Sequence, residues 1–282
     1  MTVKQAKWQT KTARSLIAKR PFVGVGIYGD SGTGKTRWGA SSPRPLVLLS
    51  EQNGLATIHD TNPDADVELI NDSATLFDVL SAIKRGSETE VDGQPAWSWG
   101  AGRVCQTIVM DSLTDMQRLI IRHVALGPQA ADPRAQVGEL SFVHWGRIGN
   151  YVETMITDLR KLPVNLISIC LAEHGVDDRS RRRTTPMLAG RVGKALAQYY
   201  AAFGYCYKAE KEGGVMYGIG WELSSQYVTK PAPGFPRSIV CTTTPGQTSL
   251  GSLALATLGR DGLTVPHNEH DNADHVQEGV TT

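Results

Sequence analysis

The sequence predicts an α/β domain: a mostly parallel central sheet flanked by helices, closed by a C-terminal antiparallel meander. Three observations predict it. Short continuous apolar runs, PLVLLSE (45–51), TIVMDS (107–112) and VNLISICLA (164–172), have strand length and read as strands covered on both faces. Segments of helical spacing alternate with them. A glycine-rich stretch, GIYGDSGTGKTRWGA (26–40), stands between the first apolar run and the first core helix.

Residues 3–19 have the pattern of a short basic helix, with Trp8, Leu16 and Ile17 as contact residues and Pro21 as its stop. FVGVGIY (22–28) reads as a buried strand leading into the glycines. KTRWGAS then begins a helix that Pro43 stops. SATLFDVLSAIKRG (73–86) is helical, with Ser73 as N-cap and Gly86 as terminator. Residues 87–102 read as a hairpin or long loop. LTDMQRLIIRHVAL (113–126) and WGRIGNYVETMITDLRKL (145–162) are helices, with a flexible Gly/Pro/Ala-rich loop expected at 127–138. AFGYCYKAE, VMYGIGWEL and SQYVTK alternate and are parted by turn residues, which predicts antiparallel strands added at the sheet's edge. From about Ser249 the chain turns polar, and disorder is expected after Gly262. The expected organisation is a basic arm (1–20), one large domain (21–248) and an acidic tail (249–282).

Composition narrows the function classes. The 282 residues are 40% hydrophobic and 20% charged, as in ordinary globular proteins. The net charge of +1 gives no global field for nucleic acid, so such binding needs local patches. Charge is nevertheless polarised. Lys4, Lys7, Lys11, Arg14, Lys19 and Arg20 precede any acid, whereas Asp261, Glu269, Asp271, Asp274 and Glu278 follow the last basic residue, Arg260. Cys105, Cys170, Cys206 and Cys241 lie in or beside apolar stretches without a CxxC pair, so buried reduced thiols and a cytoplasmic setting are expected. No apolar run reaches membrane-spanning length, and no membrane partner is expected.

Gly29-Asp30-Ser31-Gly32-Thr33-Gly34-Lys35-Thr36 satisfies GxxxxGK[ST] in full. Glycines let successive backbone N–H groups turn inward around a phosphate without Cβ clashes. Lys35 reaches the β- and γ-phosphate oxygens, and the Thr36 hydroxyl ligates Mg²⁺. The motif therefore predicts binding of ATP with Mg²⁺. Such a site needs an acid at the end of a neighbouring strand to hold the metal through water. Asp111, ending TIVMD, is the candidate, although DSLTD also begins a helix that an Asp could cap. Hydrolysis needs a carboxylate to orient the attacking water. Glu51, ending PLVLLSE at the ligand edge of the sheet, is that candidate, with a surface loop Glu as the alternative. Glu173 and His174, after LISICLA, stand at the same edge; a polar residue there can sense the γ-phosphate or be an ordinary loop residue.

The ordered set YGDSGTGKT, PLVLLSEQNG, TIVMDSLTD, HWGRIGNYV and PMLAGRVGKAL resembles the RecA-like P-loop ATPases. Within that class it is most similar to the phage-encoded nucleotide-binding proteins, which include RecA-like single-strand annealing proteins. The resemblance spans roughly residues 21–240. It implies a RecA-like core and ATP hydrolysis coupled to single-stranded DNA in phage recombination, annealing or replication. It also implies a ring or filament of identical chains in which one subunit completes its neighbour's site. It assigns the catalytic carboxylate to Glu51, the metal acid to Asp111 and the sensor to Glu173 and His174. Basic residues after the late strands reach a neighbour's phosphates in such proteins; Lys230 and Arg237 of VTKPAPGFPR are the counterparts, with Pro231 and Pro233 interrupting the usual spacing. A single-strand-binding protein or another recombination factor is a further expected partner.

DDRSRRRTTPMLAGRVGK (177–194) places Arg179, Arg181, Arg182, Arg183, Arg191 and Lys194 in what reads as one loop after the sensor strand. Guanidiniums there can neutralise backbone phosphates, and the corresponding loop of RecA-like proteins contacts DNA. A solvated loop, or one pairing with an adjacent subunit, is the alternative. The basic arm with Trp8 suits stacking on single strands or oligomer formation. The acidic tail suits DNA mimicry or simple solubility, and the spacing of its His267, His270 and His275 does not make a metal site. A helicase or helicase loader, or a nucleotide-gated recruitment module with little turnover, would share the same core.

Overall fold

A computed structural model of the chain describes residues 22–132, 134–211, 214–223, 225–232 and 237–241. The expected arm and tail, with Trp8 and the three tail histidines, lie outside the described residues. In chain order the elements are β1 (Gly24–Gly29), α1 (Lys35–Ala40), β2 (Pro45–Leu49), α2 (Gly54–Thr61), β3 (Asp66–Leu69) and α3 (Ser73–Lys84). Then come β4 (Ser87–Val91), β5 (Gln94–Trp99), β6 (Arg103–Cys105), β7 (Thr107–Asp111), α4 (Leu113–Leu126) and α5 (Phe142–Leu159). The rest is β8 (Asn165–Val176), β9 (Arg182–Pro186), α6 (Gly190–Ala195), β10 (Ala202–Lys211), β11 (Gly214–Gly220) and β12 (Ser238–Cys241).

The main sheet runs β12-β11-β10-β1-β8-β7-β2-β3, with β9 paired to β8. Its strands from β10 to β3 are mutually parallel, and β11 and β12 are antiparallel additions. Side-chain alternation sends neighbouring residues to opposite cores. In β2, Leu46 and Leu48 enter one cluster while Val47 and Leu49 enter the other. The first cluster is covered by α3, whose Leu76, Leu80 and Ile83 recur at helical spacing, and by α4 and α5. Trp38 of α1 and Ile58 of α2 cover the second. Full burial on both faces explains why β2 and β7 are uninterrupted apolar runs rather than alternating ones.

Several elements differ from the sequence expectation for identifiable reasons. Asp72, not Ser73, caps α3, its carboxylate accepting from the Thr75 N–H at 2.7 Å. The helix expected at 145 starts at Phe142, because Ser141 and His144 form a reciprocal capping box. Residues 87–105 form a separate three-stranded antiparallel sheet, β4-β5-β6. The stretch 127–138 includes a 3-10 turn at Gly127–Ala131. AFGYCYKAE is not an antiparallel addition: β10 lies parallel to β1, and the meander begins only at β11. SQYVTK forms no strand and contributes isolated bridges at Tyr227 and Lys230. The sequence pattern does not predict α2 or β3; their residues are mostly half-buried or exposed, so they carry a weak apolar signal. No helix among the described residues is long and apolar enough to cross a membrane.

Candidate nucleotide site

The glycines that follow β1 are fixed by geometry. A Cβ on Gly29 would stand 2.4 Å from the carbonyl oxygen of Cys206 on β10, so only glycine lets the two strands approach there. Gly32 (φ 78°) and Gly34 (φ 80°) take the left-handed backbone that side chains resist. This curls residues 29–34 around the amine of Lys35. That amine is buried and donates to the carbonyl oxygens of Gly29 (2.9 Å) and Asp30 (2.6 Å). Burial lowers its pKa, opposed by the charge of Asp111 and Asp30.

The carboxylate of Asp111 ends β7, one strand away from β1 across β8. It is buried, and burial pushes its pKa up to about 6, opposed by a hydrogen bond with Thr36 and by the Lys35 charge. Its Oδ2 has no hydrogen-bond partner among the described residues. An unpartnered buried carboxylate oxygen beside a threonine hydroxyl is a hard, anionic donor pair, which fits Mg²⁺ completed by water and phosphate oxygens. No group of three or more His, Cys, Asp or Glu residues that could hold a metal ion is found among the described residues. Ser50 stitches the neighbouring strand ends together. Its N–H donates to the Asp111 carbonyl at 2.8 Å, and its hydroxyl oxygen accepts from the Ser112 N–H at 2.8 Å. This places Glu51 on the same cleft, exposed and close enough for its charge to raise the Asp111 pKa further.

The cleft has a volume of about 790 Å³ and is lined by Gly32, Lys35, Thr36, Glu51, Asp111 and others. That size suits a nucleotide. Among the walls that sequence reasoning did not single out are Tyr217 from β11 and Arg37 with its ion-pair partner Asp60. No local pattern marks Tyr217 or Asp60, which reach the cleft only through strand order and the packing of α1 on α2, whereas Arg37 directly follows Thr36 in the motif.

Asp30, Ser31 and Thr33 complete the loop. Thr33 is buried and its hydroxyl donates to the Asp30 carbonyl at 2.8 Å. Glu173 and His174 do not end a strand, because β8 continues to Val176 and pairs with β9. The imidazole of His174 reaches the loop: its Nε2 lies 2.7 Å from Asp30 Oδ1. Glu173 is exposed beside it.

The arginines do not share one loop. Arg182 and Arg183 are exposed on β9, and Arg179 and Arg181 sit in the turn of a β8–β9 hairpin. Arg181 is held by Asp177, which is drawn down to about 2 by that guanidinium and by turn N–H groups. Arg191 belongs to α6, where it pairs with Glu153 and Asn150 of α5. Lys230 is bridged to Phe203 near the start of β10, and its amine donates to the Tyr200 carbonyl at 2.7 Å. It is thus turned away from this chain's own phosphate loop, which lies at the other end of β1. Arg237 faces Glu222. Cys105, Cys170 and Cys206 are buried free thiols whose pKa values burial raises, to about 12 for Cys105 and Cys206, which leaves them inert.

No curated protein matches the sequence. Among solved structures, the flagellar accessory protein FlaH from Methanocaldococcus jannaschii aligns at 9% identity with a TM-score of 0.41, over 83% of this chain and 94% of that one. A family model described as an AAA domain matches residues 22–233, which include the phosphate loop, Glu51, Asp111 and the β8–β9 hairpin. The chain belongs to this AAA-domain family, a family of P-loop nucleotide-binding domains.

Proposed function

We propose that the protein is an ATPase acting on single-stranded DNA, in recombination, annealing or replication of the kind phages carry out. One observation supports hydrolysis above others: the buried Asp111 carboxylate, with one oxygen unpartnered among the described residues, lies beside Thr36 and within the field of Lys35. Thr36 and Asp111 would hold Mg²⁺, which when bound neutralises phosphate charge and orients the terminal phosphoryl group. Lys35 transfers its hydrogen bonds from loop carbonyls to phosphate oxygens. Glu51 orients a water and accepts its proton as the water oxygen bonds to the γ-phosphorus, while the bond to the ADP oxygen breaks. Arg179, Arg182 and Arg183 of the β8–β9 hairpin are exposed and offer positive charge to a strand's phosphates, and His174 at the hairpin's root touches the phosphate loop.

The test is steady-state ATP turnover with Mg²⁺, with and without single-stranded DNA, for the wild type and Lys35→Ala. The expected result is turnover that DNA stimulates and that the variant lacks. Turnover undiminished in Lys35→Ala would overturn the catalytic assignment. Turnover indifferent to DNA, with no DNA binding, would remove the nucleic-acid part and leave a nucleotide-gated protein of another kind.

A further inference from the structure

Asp30 does more than shape the phosphate loop. Its Oδ1 accepts from His174 Nε2 at 2.7 Å and its Oδ2 from the Tyr205 hydroxyl at 3.1 Å. Its backbone carbonyl accepts from the Lys35 amine at 2.6 Å. The Asp30 carboxylate thus holds an imidazole and a phenol, while its backbone carbonyl holds the Lys35 ammonium. Lys35 needs such an acceptor, since a buried ammonium without one is costly. His174 in turn is fixed on its other side, its Nδ1 lying 3.2 Å from the hydroxyl of the buried Thr184.

His174 and Thr184 face each other across the β8–β9 ladder, and the next two rungs are Gly175–Arg183 and Val176–Arg182. Outward from there the hairpin is largely exposed, with Val176 68% exposed. Thr184 is anchored to the body: its carbonyl accepts from the Tyr28 hydroxyl and its N–H donates to the Gln226 carbonyl. The Asp30–His174 pair is therefore the contact through which the phosphate loop grips the root of the arginine hairpin.

We propose that Asp30 is a displaceable latch: without nucleotide its carbonyl engages the Lys35 amine and its carboxylate pins the hairpin through His174, and an incoming triphosphate draws Lys35 off the carbonyl, repels the carboxylate and frees the hairpin. This rests on the nucleotide-site reading above and adds a positioning residue, Asp30, with His174 and Tyr205 as its partners. A triphosphate brings negative charge into the loop, so it repels the carboxylate while offering the Lys35 amine better acceptors. Both effects loosen the same residue. By linkage, anything that binds the freed hairpin must then favour nucleotide by an equal factor.

Trypsin cleavage after Arg179, Arg182 and Arg183, followed by mass spectrometry on the full-length chain, reads the hairpin directly. Wild type is expected to be cut slowly there without nucleotide and faster with a non-hydrolysable ATP analogue. Asp30→Ala and His174→Ala should be cut at the fast rate in both states, and His174→Gln, which keeps a donor, should restore slow cutting. Asp30→Ala should also bind the analogue about two- to fivefold more tightly, the scale of an exposed charged contact. Both side chains are about half exposed, so their loss is tolerable to the fold, and Tyr205→Phe provides a milder variant with an intermediate rate. Cutting rates in Asp30→Ala equal to wild type without nucleotide would overturn the proposal. If wild type failed to bind the analogue at all, the nucleotide-site reading would fall instead, and the nucleotide-free comparison would still decide whether Asp30 pins the hairpin.

Discussion

Lys35 and Asp111 are opposite charges buried within one small region, and each is disfavoured in its charged form by burial. Asp111 carries a measurable consequence. Its pKa is about 6 in the folded chain against 3.8 for the free group, so the native state binds the extra proton between those values. Stability of the metal-free protein should therefore fall as pH rises from about 4 to 6 and level off above. The full effect is about 3 kcal/mol at about 1.4 kcal/mol per tenfold. Asp111→Asn removes it: urea melts without metal should show the variant gaining on wild type as pH rises, most at pH 7 to 8. The same substitution should lower Mg²⁺-dependent ATP turnover about a hundredfold or more, since it removes a charge aimed at the metal. A variant more stable yet inactive is the signature expected; a variant less stable at pH 8 would contradict the burial argument. Of these residues, Lys35, Thr36, Asp111 and Glu51 were legible in the sequence because each follows a recognisable strand or glycine turn. Tyr205, Tyr217 and Asp60 were not, because nothing near them in the chain marks their role.

At the scale of elements, the β1–β10 contact and the β8–β9 hairpin have separate tests. Gly29→Ala places a methyl against the Cys206 carbonyl, which can yield only by parting the two strands. The expected cost is about 1–3 kcal/mol, the usual range for overpacking, seen as a lowered melting temperature together with weakened ATP binding. In the hairpin, Arg181 serves the turn through Asp177, so the informative variant replaces Arg179, Arg182 and Arg183 with alanine. It should weaken single-stranded DNA binding and flatten the plot of log affinity against log salt by about 0.7 for each phosphate no longer neutralised. An unchanged slope in fluorescence-anisotropy titrations would mean that these arginines do not meet the strand. Reading the arginines as a loop missed the hairpin, since RRTTP has few apolar residues and becomes a strand only by pairing with the extended end of β8.

At the scale of the whole molecule, a mostly parallel sheet buried on both faces brings strand ends together along one edge and leaves the cleft open above them. Among the described residues, the basic side chains lining that cleft are Lys35 and Arg37, and Arg37 is engaged by Asp60. The resemblance to RecA-like ATPases implies a second copy that completes the site, and we propose that it supplies further positive charge there. ATP turnover per chain should then rise with protein concentration, and Lys35→Ala chains mixed with wild type should depress activity below simple dilution. Linear dilution behaviour, with a monomer in sedimentation at working concentration, would count against shared sites.

The sequence by itself determined the phosphate loop, the parallel α/β core and the carboxylates at its strand ends. These depend on neighbours along the chain: a glycine turn between strand and helix, or an apolar run ending in an acid. Only the tertiary structure decided that β10 lies parallel against β1, that Arg179, Arg181, Arg182 and Arg183 ride a hairpin while Arg191 sits on a helix, and that Asp30 meets His174 and Tyr205. Those partners are 144 and 175 residues away from Asp30 in the chain. Their meeting follows from the order in which strands enter the sheet, which sequence spacing does not encode.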